Sequence, residues 1–480
     1  MITLINTINA MNSIKILLAA ATMTVAFSAE AQTLKMKNQV VRIDAYEALT
    51  SVNLVVVKPE AKVETLDPKA FVVETNGVAR TIKTVYTSND RGQWADNGEY
   101  LAFGLEVSAE RSASPMIPGI FGTWNQKYPV KVSLAKGKSI KAEGKKYTAV
   151  ECETNNALRN FLSETDYFQR GTFTGPATGQ PGDLTLTYGA YEPQALKQDG
   201  KKNPLIIWLH GMGEGGTDVS IEVLGNEVAA LIRDDIQGHF TTEGGENGAY
   251  VLAVQCPTMW MNTAKGFGDG ENASIYSDVL KSCIDNYVMN VNPDVDRSRI
   301  SIGGCSNGGF MTMNMIIRNP NYFAAAYPTC EAYADRHISD REIKALAEEN
   351  IWFVQSFDDT TVKPEGYCIA TYDRLMEAGA KNVWISMFEC VEGHDFPGTK
   401  LFGHFSWCYL FNDMVTGAQT QEKGNLAPTN NGGGTVAPQG YKNIYEWMNA
   451  QTIKTPEAPA FSFGAAANVS RLDENGNARF

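Results

Sequence analysis

A glycine-flanked serine is the feature that most constrains how this chain can fold. Residues 304–308 read Gly-Cys-Ser-Asn-Gly, with Ser306 at the centre. A short apolar run at 300–303 precedes this turn, and a run of helical composition at 310–317 follows it. Glycines on both sides allow a strand and a helix to approach without a Cβ clash. The pattern predicts a strand, a very tight turn and a helix, with the Ser306 hydroxyl exposed above a sheet as a candidate nucleophile.

A second glycine-rich turn lies upstream of Ser306, and it can supply backbone N–H groups for the reaction of a serine nucleophile. The apolar run 204–209 leads into His210-Gly-Met-Gly, which ends at residue 213. Acyl transfer develops negative charge on oxygen, and fixed backbone N–H groups stabilise that charge. Such a turn after a strand is where an α/β-hydrolase places one oxyanion donor. We expect the amides of Met212 and Asn307 to be the two donors, with His210 as a structural residue of the turn.

The acid and the base are expected after the serine, in the order Ser, Asp, His. The strand-like run 351–357 is followed by two aspartates, Asp358 and Asp359. Asp359 fits the register of the usual D-x-x-V pattern, and Asp358 is the alternative. Two histidines follow, His394 and His404, and their positions do not decide between them. A Ser-His-Asp mechanism needs no cofactor, and no metal-ligand cluster is visible.

The length of 480 residues predicts two domains. Residues 32–155 contain about seven short strand-like runs separated by turn residues, which is typical of an immunoglobulin-like β-sandwich. Strand-like and helical runs then alternate over 156–451, which predicts an α/β-hydrolase domain with a mostly parallel, doubly covered sheet. A Gly-, Asn- and Pro-rich insert is expected at 418–440 and an irregular tail at 452–480. The helical runs are 219–236, 274–291, 340–349 and 441–451.

The N-terminus has the pattern of an export signal. Lys15 precedes an apolar run at 16–27, and Ala-Glu-Ala follows at 29–31. We expect residues 1–31 to be a signal peptide cleaved after Ala31, and the protein to be periplasmic or secreted. The apolar run is too short to span a bilayer.

The net charge bears on the binding partners of the protein, and the cysteines bear on metal binding and disulfide formation. A formal net charge of −13 argues against nucleic acid and anionic membranes. The eight cysteines match no zinc pattern, and both disulfides and buried free thiols are compatible with an exported chain.

With these residues placed, the chain resembles the EstA-type bacterial esterases, which carry an immunoglobulin-like domain before an α/β-hydrolase domain of the prolyl-oligopeptidase-like clan. The resemblance covers nearly the whole chain after residue 31, and it rests on residues 43–50, 124–128, 208–218, 255–260, 304–308 and 404–407. That family's histidine motif, Gly-His-x-Ser-Trp, matches 403–407, so the resemblance implies His404 as the base. It also implies that Asn226 and Trp260 lie in the wall of the substrate site, although core packing is an equal alternative for Trp260.

Together these features predict an exported serine esterase that hydrolyses a small-molecule or glycan-linked ester through an acyl-enzyme. A prolyl-oligopeptidase-like peptidase is an alternative, but residues 32–155 are too few for a β-propeller. A secreted binding protein with an inactive hydrolase domain is the third hypothesis. A homo-oligomer is compatible with the sequence.

Overall fold

The computed structural model describes residues 32–47, 49–109, 114–119, 122–268 and 273–454. The predicted signal peptide and most of the predicted tail lie outside these residues. Within the described ranges, no helix is both long and apolar enough to cross a membrane.

The first part of the described chain is β-structure. Its strands are β1 (Thr33–Tyr46), β2 (Leu49–Pro59), β3 (Phe71–Thr75), β4 (Val78–Arg80), β5 (Ile82–Ser88), β6 (Tyr100–Leu105), β7 (Met116–Ile117), β8 (Thr123–Trp124), β9 (Val130–Leu134), β10 (Ile140–Ala142), β11 (Lys145–Tyr147), β12 (Ala149–Thr154) and β13 (Phe161–Leu162). Nine of these described strands form one sheet in the order β4-β3-β9-β12-β1-β2-β6-β5, with β13 pairing with β1. Strands β7 and β8 form a separate hairpin, and so do β10 and β11.

The long strand β1 joins two halves of the nine-stranded sheet. Its first residues pair in parallel with β12, and from Met36 onward it pairs antiparallel with β2. Phe71 in β3 and Phe103 in β6 come from opposite halves, and their ring centroids lie 5.1 Å apart. The two halves therefore face each other across a shared apolar core, which explains the alternating burial along β3.

The second part of the chain has a mixed sheet of eight strands among the described residues, in the order β14-β15-β17-β16-β20-β21-β22-β23. Its strands, with the small hairpin β18–β19, are β14 (Phe168–Pro176), β15 (Asp183–Tyr191), β16 (Asn203–Leu209), β17 (Tyr250–Gln255), β18 (Asn262–Thr263), β19 (Gly266–Phe267), β20 (Val295–Cys305), β21 (Ala325–Thr329), β22 (Ile351–Ser356) and β23 (Val383–Phe388). The β14–β15 and β15–β17 pairs are antiparallel, and the remaining pairs are parallel. Every residue of β16, β17, β22 and β23 is buried, because apolar runs of this kind are covered on both faces.

The α-helices lie between these strands and after them. They are α1 (Gln194–Gln198), α2 (Val219–Gly225), α3 (Asp234–Gln237), α4 (Ser277–Asn286), α5 (Asn307–Arg318), α6 (Asp340–Leu346), α7 (Cys368–Glu377), α8 (Trp407–Phe411) and α9 (Ile444–Ala450). Helix α6 begins with a capping box in which the side chains of Ser339 and Glu342 each accept the other residue's backbone N–H.

The prediction of one helix over 219–236 is wrong. The segment divides into α2, a 3₁₀ segment at Val228–Ile232 and α3. Glu227 separates the first two with a φ of 63°, a left-handed conformation that an α-helix of L-residues cannot continue. The buried Glu227 carboxylate pairs with Arg233 at 2.8 Å, and this contact holds the break in place.

The glycine-rich insert at 418–440 covers the end of the large sheet. Its Gly433 carbonyl accepts the Met387 N–H of β23 at 2.8 Å, and Gln419 N–H donates to the Ile385 carbonyl at the same distance. Thr429 N–H also donates to the Met387 carbonyl at 2.9 Å. The insert therefore satisfies backbone groups at a sheet edge that would otherwise be open to another chain.

Glu47 and Arg233 are among the side chains that join the N-terminal sheet to the second part of the chain. Glu47, in the β1–β2 turn, accepts the backbone N–H of His394 at 2.8 Å and the Asn412 side-chain amide at 3.3 Å. Arg233 donates to the Ala45 carbonyl of β1 at 3.3 Å. Because Glu47 is almost fully buried, these bonds are shielded from water and fix the junction.

Candidate active site

Ser306 occupies the tight turn between β20 and α5. Its φ of 55° and ψ of −112° are unusual for a non-glycine residue, and strain of this kind persists only where the surroundings enforce it. A Cβ on Gly304 would lie 2.5 Å from the Leu209 carbonyl oxygen, and one on Gly308 would lie 2.5 Å from the Leu209 carbonyl carbon. Both glycines are therefore required by the close approach of β16, as the motif predicted.

The neighbouring thiol does not compete with Ser306. Cys305 lines the same cavity as Ser306 but is fully buried. Burial raises the pKa of the Cys305 thiol well above its usual value, so it lacks the thiolate that a cysteine nucleophile requires.

Asp359 and His404 form a buried pair. The Asp359 Oδ2 lies 2.7 Å from the His404 Nδ1, and the side chains are 0% and 9% exposed. The other Asp359 oxygen accepts the backbone N–H groups of Thr361 and Val362 at 2.8 and 3.0 Å. Gln355 donates to Oδ2 at 3.3 Å. These bonds fix the carboxylate, which in turn orients the imidazole ring.

The two alternative residues lie outside this pair. Asp358 accepts a hydrogen bond from Ser356 and forms an ion pair with Lys400 at 3.1 Å. His394 is exposed, and its backbone N–H donates to Glu47. Of the candidates that the sequence left open, the structure brings Asp359 and His404 together.

Ser306 and His404 line one cavity of about 250 Å³. The N-terminal part of the chain supplies much of its wall, through Leu49, Thr50, Ser114, Met116, Pro118, Gly119 and Gly122. The sequence analysis missed these residues, because nothing in their local pattern shows which distant turn they contact.

A second cavity of about 290 Å³ also reaches Ser306. Its other lining residues include Met212, Asn307, Phe267, Arg336 and Tyr367. Met212 and Ser306 line both cavities. The two spaces therefore meet at the candidate nucleophile.

The two predicted oxyanion donors line the second cavity together with Ser306. Met212 begins a short 3₁₀ segment after β16, and Asn307 is the first residue of α5. The first N–H groups of a helix have no acceptor within that helix, so the Asn307 amide is available to a ligand. Trp260 N–H donates to the Asn307 side-chain oxygen at 2.6 Å and holds this side chain against the helix start.

His210 stabilises the turn that carries Met212. It is completely buried, its Nε2 accepts the Cys256 N–H at 3.1 Å, and its Nδ1 contacts the Gly211 carbonyl. Burial lowers the pKa of His210 to about 4, so the ring is neutral at physiological pH. This placement agrees with a structural role for His210.

The two predicted wall residues are placed differently. Asn226 lines the first cavity and donates to the Glu214 carboxylate at 2.8 Å. Trp260 is fully buried and packs against the rings of His210 and Tyr276. Its ring belongs to the core, which was the alternative stated for this residue, and it reaches the site only through its backbone.

Two buried carboxyl groups lie beside the site. Glu214 lines the first cavity, and burial raises its pKa to about 7. Burial, and then the charge of Glu214, raise the pKa of Glu222 well above its usual value. The Glu-Gly-Gly after Met212-Gly213 was visible in the sequence, but its burial was not. In the ranges that the structure covers, no three His, Cys, Asp or Glu residues are grouped so that they could hold a metal ion.

Comparison with known proteins identifies the fold. No protein-family model and no curated protein matches the chain. A solved thermostable esterase is similar over 80% of this chain and 96% of its own, with a TM-score of 0.60 and 22% identity. A ferulic acid esterase matches 51% of this chain and 96% of its own at a TM-score of 0.35 and 15% identity. An acylaminoacyl peptidase matches 75% of this chain and 60% of its own, with a TM-score of 0.34 and 13% identity. The likeness to the thermostable esterase shows that this chain has the α/β-hydrolase fold.

Proposed function

We propose that this protein is a serine hydrolase that cleaves carboxylic esters. Ser306 is the nucleophile, His404 the general base and Asp359 the residue that orients the base. The observation that carries the proposal is the buried 2.7 Å contact between Asp359 and His404, together with the cavity that His404 and Ser306 both line.

The proposed mechanism follows from which nitrogen of the His404 ring carries the proton. Because Asp359 accepts the proton on Nδ1, the His404 Nε2 is left to accept the Ser306 proton as Oγ attacks the ester carbonyl. The amides of Met212 and Asn307 stabilise the oxyanion of the tetrahedral intermediate. The protonated ring then donates to the leaving alcohol, and an acyl-enzyme forms. Water, deprotonated by His404, attacks this acyl-enzyme and releases the acid.

The shape of the site supports a small ester. The two cavities meet at Ser306, so one can hold the acyl group and the other the alcohol group. Volumes of about 250 and 290 Å³ are at or below the lower end of the range for ligand pockets. We infer a small-molecule ester, or an ester carried on a glycan, as the substrate.

We also infer that the protein is exported and cleaved after Ala31, and that its N-terminal sheet is an immunoglobulin-like sandwich. The charged, apolar and Ala-x-Ala segments of the sequence support export. The two sheet halves joined by β1 support the sandwich. N-terminal sequencing of protein from the periplasm or the medium tests the cleavage, and a first residue other than Gln32 would contradict it.

Fluorophosphonate labelling tests the proposed enzyme class. We expect wild type to be labelled and Ser306→Ala to remain unlabelled. An unlabelled wild type would contradict the proposal and favour a binding protein. Labelled wild type that cleaves proline-containing peptides faster than nitrophenyl esters would favour a peptidase. A panel of acyl lengths and sugar acetates then defines the preferred ester.

Substitution of the two histidines tests the base. We expect His404→Ala to lower kcat by at least about 10³-fold, because Ser306, His404 and Asp359 act as one catalytic unit and the loss of one member disables it. His394→Ala is the matched control, and we expect it to retain activity because this side chain is exposed away from the pair. The reverse result would show that the base is misassigned.

A further inference from the structure

The β7–β8 hairpin of the N-terminal part lies directly on the turn that carries Met212. We call residues 211–216 the oxyanion turn. Gly122, just before β8, donates its N–H to the Gly213 carbonyl of this turn. A Cβ on Gly122 would lie 3.0 Å from the same carbonyl oxygen. A side chain at position 122 would crowd this carbonyl, and the approach places hairpin backbone against the residue that follows Met212.

Trp124 makes a second contact with this region. Its indole Nε1 donates to Asp218 Oδ2 at 2.7 Å, although the two residues are 94 positions apart. The other oxygen of Asp218 accepts the Ser220 N–H at 2.9 Å and caps α2. The indole is held in place by Phe161, with ring centroids 5.2 Å apart. Trp124 therefore ties the start of α2 to the N-terminal part of the chain.

The C-terminal half of the oxyanion turn is also linked to Asp218, through the side chain of Gln255. Gln255 donates from Nε2 to the carbonyl oxygens of Glu214 and Asp218, at 2.8 and 3.2 Å. These bonds link the turn and Asp218 into one hydrogen-bonded unit. A shift of Asp218 is therefore transmitted to the turn through Gln255.

The oxyanion turn needs such external contacts because of its composition. Four of its six residues, at 211, 213, 215 and 216, are glycines, and glycine loses more conformational freedom on ordering than any other residue. An oxyanion donor acts only if it is fixed before the reaction. We propose that the β7–β8 hairpin positions the oxyanion turn and that Trp124 is a positioning residue for the Met212 amide. This inference rests on the proposed esterase function.

Trp124→Phe tests the inference, because phenylalanine keeps a six-membered aromatic ring and removes only the five-membered ring of the indole with its N–H donor. Removal of an oxyanion donor lowers kcat about 10² to 10³-fold, so displacement of one is expected to lower kcat about tenfold. KM for a nitrophenyl ester should change less than about twofold, because the interaction lost is one made in the transition state. Trp94→Phe is the matched control, since Trp94 belongs to the same part of the chain and is 68% exposed; we expect it to leave kcat unchanged.

A double-mutant cycle with Asp218→Asn identifies the route. If Trp124 acts through Asp218, the double variant loses no more activity than the more impaired single variant. The affinity for a boronic acid, which mimics the tetrahedral intermediate, should fall in parallel with kcat/KM. Unchanged kcat in Trp124→Phe, or additive losses in the cycle, would overturn the inference. If Trp124→Phe fails to fold, Asp218→Asn alone carries the same expectation for kcat and the boronic acid.

Labelling of Ser306 separates this inference from the proposed function. We expect wild type and the Trp124→Phe, Asp218→Asn and Trp94→Phe variants to be labelled to completion by a fluorophosphonate, because Ser306 is intact in each of them. Labelled wild type with an unaffected Trp124→Phe variant refutes only the positioning role. Unlabelled wild type refutes the proposed function, and the positioning role falls with it.

Discussion

An asparagine at position 359 is expected to hold the His404 ring in the wrong tautomer. The Asp359 Oδ1 accepts two backbone N–H groups, from Thr361 and Val362. In Asp359→Asn the amide oxygen must take this place, because an NH₂ group there would face two other donors. The NH₂ group then faces His404 Nδ1, which must accept, and the ring proton moves to Nε2. A ring protonated at Nε2 cannot accept the Ser306 proton.

The size of the effect follows from the burial of this contact. The Asp359 side chain is 0% exposed and that of His404 is 9% exposed, so water has little access with which to replace the lost arrangement. The same exchange in a Ser-His-Asp protease lowers kcat about 10⁴-fold. At about 1.36 kcal/mol for each factor of ten, this corresponds to about 5 kcal/mol of transition-state stabilisation.

The assay compares kcat for nitrophenyl acetate hydrolysis, with thermal unfolding as the check on folding. Asp358→Asn is the matched control, because Asp358 is 32% exposed and its ion pair with Lys400 lies at the surface. We expect this control to keep near-wild-type activity. A folded Asp359→Asn variant that retains more than about a tenth of wild-type kcat would refute the tautomer argument. An equal loss in Asp358→Asn would show that the acid is misassigned.

Three further outcomes are expected. Gly308→Ala should lower the unfolding free energy in urea by about 3 kcal/mol or more and abolish activity, because the new Cβ would lie 2.5 Å from the Leu209 carbonyl carbon; a stable, active variant would refute the need for glycine. Burial raises the pKa of Glu214 from 4.5 to about 7, so its contribution to stability is full below about pH 4.5 and is lost as the pH rises through about 7. Glu214→Gln should therefore remove up to about 3 kcal/mol of the fall in unfolding free energy between about pH 4.5 and 7, and an unchanged pH profile would contradict this. All eight cysteines lie in the described ranges as free thiols, so a reductant should leave the unfolding temperature unchanged.

Local patterns in the sequence were sufficient for the elements that position the site. The buried parallel strands carry continuous apolar runs, so β16, β22 and β23 were recognisable without tertiary information. The glycines at 304 and 308 predicted the tight turn, because few other residues tolerate such a close approach between a strand and a helix.

Features set by tertiary contacts were not predictable. The helix break at Glu227 depends on a left-handed residue that a buried pair with Arg233 stabilises. The D-x-x-V pattern favoured Asp359 over its neighbour Asp358, but only the folded positions of Thr361 and Val362 show how its carboxylate is held toward a histidine. The choice of His404 came from a family motif rather than from the spacing of residues.

The Glu47 junction makes the proposed activity a late event in folding. Glu47 and Asn412 are 365 positions apart in the chain, and the His404 loop lies just before Asn412. Contacts between such distant segments form slowly, because the entropy of closing the chain must be overcome first. During refolding, far-ultraviolet circular dichroism should therefore recover before ester hydrolysis does. Recovery of ester hydrolysis would then measure the formation of the complete native state, whereas circular dichroism would measure only the formation of local secondary structure.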